Sequence, residues 1–121
     1  MTISKPPPNV SFIYKVCDSG LWKDAKQTGK FIGAEIDLKD GYIHFSLASQ
    51  LRDTLARHFA GRDDLVLLKI EISQLDIVWE SARNGDLFPH LYGHLPLESV
   101  VAEYQLGVSS DGDHIVPDAS L

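Results

Sequence analysis

The stretch Leu65-Val66-Leu67-Leu68-Lys69-Ile70-Glu71-Ile72 decides the fold. Its first four residues are apolar on both faces and its last four alternate, the pattern of a strand inside a sheet. Upstream, Leu51, Leu55 and Phe59 recur every four residues, so an apolar stripe runs along one helix. Ser46 or Ser49 can cap its start, Gly61 ends it, and Arg57 and His58 put positive charge at its carbonyl end. Downstream, residues 75–80 read as a turn followed by an extended piece, and 81–86 carry turn chemistry at Asn84-Gly85. Residues 87–92 form a further strand. Pro89 has no N–H to donate and so restricts that strand to an edge, a bulge or an irregular segment. Val100, Val101, Tyr104 and Leu106 mark a last strand over 99–106.

The first third of the chain supplies the remaining elements. Residues 11–17 are rich in β-branched and aromatic side chains and predict a strand. Residues 19–29 predict a short helix with Ser19 as N-cap and Gly29 as terminator. Residues 30–39 read as a loop, and Asp40-Gly41 turns the chain into a short strand over 42–46. Strand, helix, strand, helix and then several strands make an α+β fold with two main helices.

With 121 residues the chain holds one core, expected over 11–107. Residues 1–10, with three consecutive prolines, read as an extended arm, and the polar, acidic residues 108–121 as a loose tail. The formal charge of −6 argues against an extended nucleic-acid surface, and Cys17, the single cysteine, permits no internal disulfide. No apolar run is long enough to span a membrane and no secretory signal precedes the core, so a soluble cytoplasmic protein is expected.

Chemistry-bearing residues gather in a few places. Under strict alternation His44 shares a face with Tyr42 and Ser46, opposite Ile43 and Phe45. That face is either a pocket wall, with His44 as a hydrogen-bonding or proton-transfer group, or the solvated side of a strand. His90 and Tyr92 also fall on one face if extended; the segment around them either contacts a ligand or fills the core with Phe88, Leu91 and Tyr92. Glu80, beside Trp79, can act as an acid or base while Arg83 receives a phosphate, or the two can simply pair with one another. Lys15 in an interior strand must pair, reach solvent or meet an anionic ligand. Cys17 reads as a small buried hydrophobe.

Metal binding fails the local test. His90 and His94 have helical spacing, but Pro89, Gly93 and Pro96 argue against a helix, and an extended segment sets them about 13 Å apart. A metal-assisted hydrolase would need His44 and His90 to meet in three dimensions. Gly-rich phosphate loops, nucleophile elbows and paired cysteines are absent.

Several motifs in order carry a resemblance: Phe12-Ile13-Tyr14-Lys15-Val16, Leu21-Trp22-Lys23-Asp24-Ala25, residues 40–46 (Asp-Gly-Tyr-Ile-His-Phe-Ser), His58-Phe59-Ala60-Gly61, Trp79-Glu80-Ser81, and residues 87–93 (Leu-Phe-Pro-His-Leu-Tyr-Gly). Over 12–106 the chain resembles the bacterial family called domain of unknown function 952. The resemblance implies a fold similar to that of ADP-ribosyltransferases, a split antiparallel sheet whose cleft holds a nicotinamide dinucleotide. Tyr14-Lys15, His44 to Ser46 and His90 to Tyr92 take the places of the three motifs of such enzymes. Tyr14-Lys15 stands where those enzymes have His or Arg, and only Glu80 or His90 is available for their third-motif Glu.

The implied ligand is NAD, ADP-ribose or a similar nucleotide, with no metal and no other cofactor. His44, Glu80 and His90 would act at the anomeric ribose carbon. Lys15 and Arg83 would meet phosphate, Trp22 and Tyr92 would stack a ring, and Ser46 would lie against the ligand. The alternative is a non-catalytic module that holds a small ligand or a peptide in the same cleft.

Overall fold

The computed structural model describes residues 2, 3, 7, 9–82 and 85–121. In chain order these form β1 (Thr2–Ile3), β2 (Phe12–Asp18), α1 (Ser19–Thr28), β3 (Lys30–Phe31), α2 (Glu35–Asp40), β4 (Ile43–His44) and α3 (Leu51–His58). There follow β5 (Leu65–Glu71), β6 (Val78–Ser81), β7 (Leu87–Leu91), β8 (Leu95–Pro96), β9 (Val100–Gln105), β10 (Gly107–Val108) and β11 (His114–Ile115). All strand pairs are antiparallel. One sheet has the order β2-β5-β9 and another β1-β6-β7-β4. They meet at a bridge where Tyr14 and Ser46 exchange backbone hydrogen bonds of 2.9 and 2.8 Å.

β5 lies between β2 and β9, as its sequence requires, and is covered on both sides. Val66, Leu68 and Ile70 join Ile13, Cys17, Trp22, Phe31, Ile43 and Trp79 in one core cluster. Leu65 and Leu67 join Tyr14, Val16, Leu51, Leu55 and Leu106 in a second. The period of two sends alternate residues of β2 and of the first half of β5 to opposite clusters, so both faces are buried there, and only Lys69 and Glu71 give β5 a polar side near its end.

Local chemistry accounts for the helix boundaries. The cap of α1 is Asp18, not Ser19: its carboxylate accepts from the Leu21 N–H at 2.8 Å. Gly29, left-handed at φ 83°, returns its N–H to the Ala25 carbonyl as the helix ends. Neither Ser46 nor Ser49 caps α3; a 3-10 turn over Ala48–Gln50 leads into it, and the Gln50 side chain accepts from the Leu47 N–H.

Three expectations are corrected. The loop expected over 30–39 contains β3 and α2. α2 is too short for helical periodicity to show, and it is held at its start by Asp37, whose carboxylate accepts from the Ala34 N–H at 2.7 Å. β7 is an interior strand despite Pro89. The Pro89 carbonyl accepts from the Phe45 N–H at 3.0 Å, so its missing donor faces the same neighbour, just where the β4 ladder stops. The residues after 107 are not loose: β10 and β11 pair, Val116 is buried, and Leu121 packs on the second cluster. At the other terminus, Thr2–Ile3 pair with β6. No helix among the described residues is long and apolar enough to cross a membrane.

Candidate functional site

The pairing of β4 with β7 sets His44 opposite His90. The two rings meet edge to face at 5.3 Å, and the Tyr42 ring lies 4.7 Å from His44, 4.3 Å from His90 and 5.1 Å from Tyr92. The pattern read at 42–46 holds in space: Ile43 and Phe45 are buried in the core while His44 is half-buried on the opposite side.

Behind His44 lies Asp37, a fully buried carboxylate. It receives His44 Nδ1 at 2.6 Å, the His44 backbone N–H at 3.0 Å and the Lys15 ammonium at 2.8 Å. Burial alone would push the Asp37 carboxyl up, but the His44 hydrogen bonds and the Lys15 charge outweigh it and hold the group at about 2. Asp37 is therefore ionised and only accepts. The other His44 nitrogen, Nε2, points at Asp40 Oδ2, 3.0 Å away. His44 is thus clasped between two carboxylates.

His90 has its own carboxylate. Its Nδ1 lies 2.7 Å from Glu80 Oε1, and the Tyr92 hydroxyl donates to the same oxygen at 2.8 Å. Burial lowers the His90 imidazole below 6.5, and the Glu80 hydrogen bond pushes back against that. Tyr92, more than half exposed, is raised above 10.0 by its bond to Glu80. Tyr42 is also raised, first by burial and then by the nearby Asp40 and Glu80 charges.

His44 and His90 line a cleft of about 760 Å³ together with residues of β2, α2 and α3. Its walls include Lys15 and Ser46 and also Arg57, His58 and Arg62. β2 runs on from Lys15, which donates to the His44 carbonyl, to Asp18, 3.8 Å from Arg62, so the arginines at and just after the close of α3 lie along the cleft from the histidines. That volume suits a nucleotide-sized molecule. Ser46 is buried, and its hydroxyl hydrogen-bonds Thr54 Oγ1 at 2.9 Å.

Two expectations come out differently. Trp22 does not reach the cleft: it is buried against Phe31 and donates its indole N–H to Glu103 at 2.7 Å. Lys15 is buried and committed, donating to Asp37 and to the His44 carbonyl at 2.8 Å, so of its three options pairing wins. Glu80 contacts His90 and Tyr92. Arg83, the proposed phosphate ligand, and Asn84 lie outside the described residues. Cys17 is buried, its thiol pushed up to about 12 chiefly by burial.

Sequence reasoning missed Asp37 and Asp40. Asp37 sat in a presumed loop, and nothing local shows that its carboxylate turns toward β4. No group of three or more His, Cys, Asp or Glu among the described residues is arranged to hold a metal ion.

The family model described as "Protein of unknown function (DUF952)" matches residues 16–103. The crystal structure of protein CC0527 from Caulobacter crescentus is 38% identical, covers 92% of this chain and 100% of its own, and superposes with a TM-score of 0.85. The solution NMR structure of CC0527 is 39% identical, covers 91% of this chain and 97% of its own, and has a TM-score of 0.80. No curated protein matches the chain.

Proposed function

The chain belongs to the family of proteins of unknown function DUF952, and from its site we propose a nucleotide- or dinucleotide-binding domain similar to the ADP-ribosyltransferases. One observation carries the reading: His44 and His90, each held by a carboxylate, stand together in the wall of a nucleotide-sized cleft. The His90 nitrogen turned away from Glu80 can hydrogen-bond one ribose hydroxyl, and Asp40, on the outer nitrogen of His44, can accept from another. The exposed Tyr92 with Tyr42 beside it, next to His90 rather than in the cleft wall, offers rings on which a base reaching past the histidines stacks.

The same end can serve chemistry at the anomeric carbon. Breaking the C–N bond of a nicotinamide dinucleotide sends the electron pair to the nicotinamide nitrogen and leaves an oxocarbenium-like sugar. Asp40, and Glu80 behind His90, supply negative charge to stabilise it. Water or an acceptor hydroxyl then adds to the carbon and gives up a proton, with His90 as base. Neither Trp22 nor Lys15 takes part, since one is in the core and the other is bound to Asp37.

Calorimetric titration with NAD, ADP-ribose and nucleoside phosphates tests the binding, with His44→Ala and Tyr92→Ala, at an exposed side chain, as controls. Heat from the unaltered protein that both variants diminish is expected; no heat from any of these ligands removes the reading. Nicotinamide released from bound NAD marks an enzyme. NAD recovered intact reduces the proposal to its binding half.

A further inference from the structure

We infer that the phosphates of the ligand lie at the α3 end of the cleft against Arg57 and Arg62, with its sugar at the His44–His90 end, an inference that rests on the nucleotide reading above. The cations along the cleft decide it. Lys15 is buried, and its ammonium is already neutralised by Asp37. A phosphate beside it would also face Asp40, and the buried Asp37 and the Glu80 carboxylate stand behind that end. Like charges there repel a polyanion in a partly desolvated wall.

Arg57 and Arg62 have the opposite character. Arg57 uses only Nε on Asp53, at 2.7 Å, so among the described residues its terminal nitrogens have no partner. Arg62 engages Asp64 through Nε and Nη2, with Asp18 3.8 Å from Nη2. Both side chains are 41% exposed, and their carboxylates are more so, at 63% for Asp53, 56% for Asp64 and 44% for Asp18. Exposed pairs of this kind contribute little and yield readily to a better acceptor, and a guanidinium fork fits phosphate with two parallel bonds. Arg57 sits in the last turn of α3, whose carbonyl end opposes an anion. Both guanidiniums are therefore needed, and the cleft orients its ligand by charge.

The test compares ADP-ribose with adenosine, its uncharged fragment, by calorimetric titration. Arg57→Gln and Arg62→Gln should each weaken ADP-ribose about tenfold and flatten its salt dependence while adenosine binds as before. Asp53→Asn, which releases Arg57, should bind ADP-ribose more tightly, a gain that damage to the fold does not produce. Equal thermal midpoints confirm that the exposed substitutions leave the fold intact. Unchanged ADP-ribose affinity in the double arginine variant overturns the orientation and leaves the nucleotide cleft standing. Failure of the unaltered protein to bind either molecule overturns both.

Discussion

His44 and Asp37 form the tightest polar contact of the candidate site: Asp37 Oδ1 receives both the ring Nδ1 at 2.6 Å and the backbone N–H at 3.0 Å of the same histidine. The carboxylate thus sets the ring and the strand that carries it at once. Its second oxygen holds Lys15 and the first turn of α2. Four elements of chemistry hang on one buried side chain, and its loss is felt in all of them.

Asp37→Asn should lower stability by about 3–5 kcal/mol, because it leaves the buried Lys15 ammonium without a counter-charge. Urea unfolding reads this as a lower midpoint at unchanged slope. Adding Lys15→Met should recover part of the loss, since no unpaired charge remains. If the double variant is less stable than Asp37→Asn by the full cost of a second core lesion, the two side chains are not coupled.

Acid should destabilise the protein in two steps. His90 has a folded value below its ordinary 6.5, so the unfolded chain binds more protons and stability begins to fall as the pH drops below that value. Asp37 is lowered from 3.8 to about 2, so its contribution is full above the first value and is lost as pH falls through the second. Denaturant midpoints measured from pH 8 to pH 2 check both. A rise in stability between pH 7 and pH 5 would contradict the first step.

In Glu80→Gln the His90 ring should titrate at lower pH than in the unaltered protein. Burial already favours the neutral imidazole, and the carboxylate is what opposes it. Two-dimensional NMR of the histidine ring protons across a pH series resolves the shift; movement to higher pH would mean that Glu80 does not support the protonated ring.

A chain ended at residue 113 should lose about 2–3 kcal/mol, the worth of burying one large aliphatic side chain. Val116 and Leu121 cover Leu51, Leu55, Leu67 and Leu106, and the Lys69 ammonium donates to the Ser120 carbonyl at 3.0 Å. Thermal unfolding of the shortened chain measures it. An unaltered midpoint would make this segment dispensable.

Parts of this arrangement are legible in the residues alone because their determinants are local. Leu65 to Leu68 announce an enclosed strand by being apolar on both faces, Gly29 needs its left-handed conformation, and Leu51 and Leu55 share one helical stripe. The face shared by Tyr42 and His44 follows from strand alternation. α2 was not legible: six residues offer less than two turns of periodicity, and its N-cap is an alanine. Pro89 misled for a related reason, since a proline is excluded from an interior strand only where its missing N–H would have had a partner.

The sequence by itself determined an α+β fold, the central strand, the two principal helices and which side of residues 42–46 would be polar. Tertiary structure alone decided that His44 and His90 stand opposite one another, that Lys15 is spent on Asp37, and that Trp22 belongs to the core. Backbone propensity and hydrophobic period act over a few residues, whereas each of these contacts joins strands or helices distant along the chain. Their geometry depends on the register in which β4 meets β7 and on the direction in which α2 delivers one carboxylate, and neither is written in any single stretch of residues.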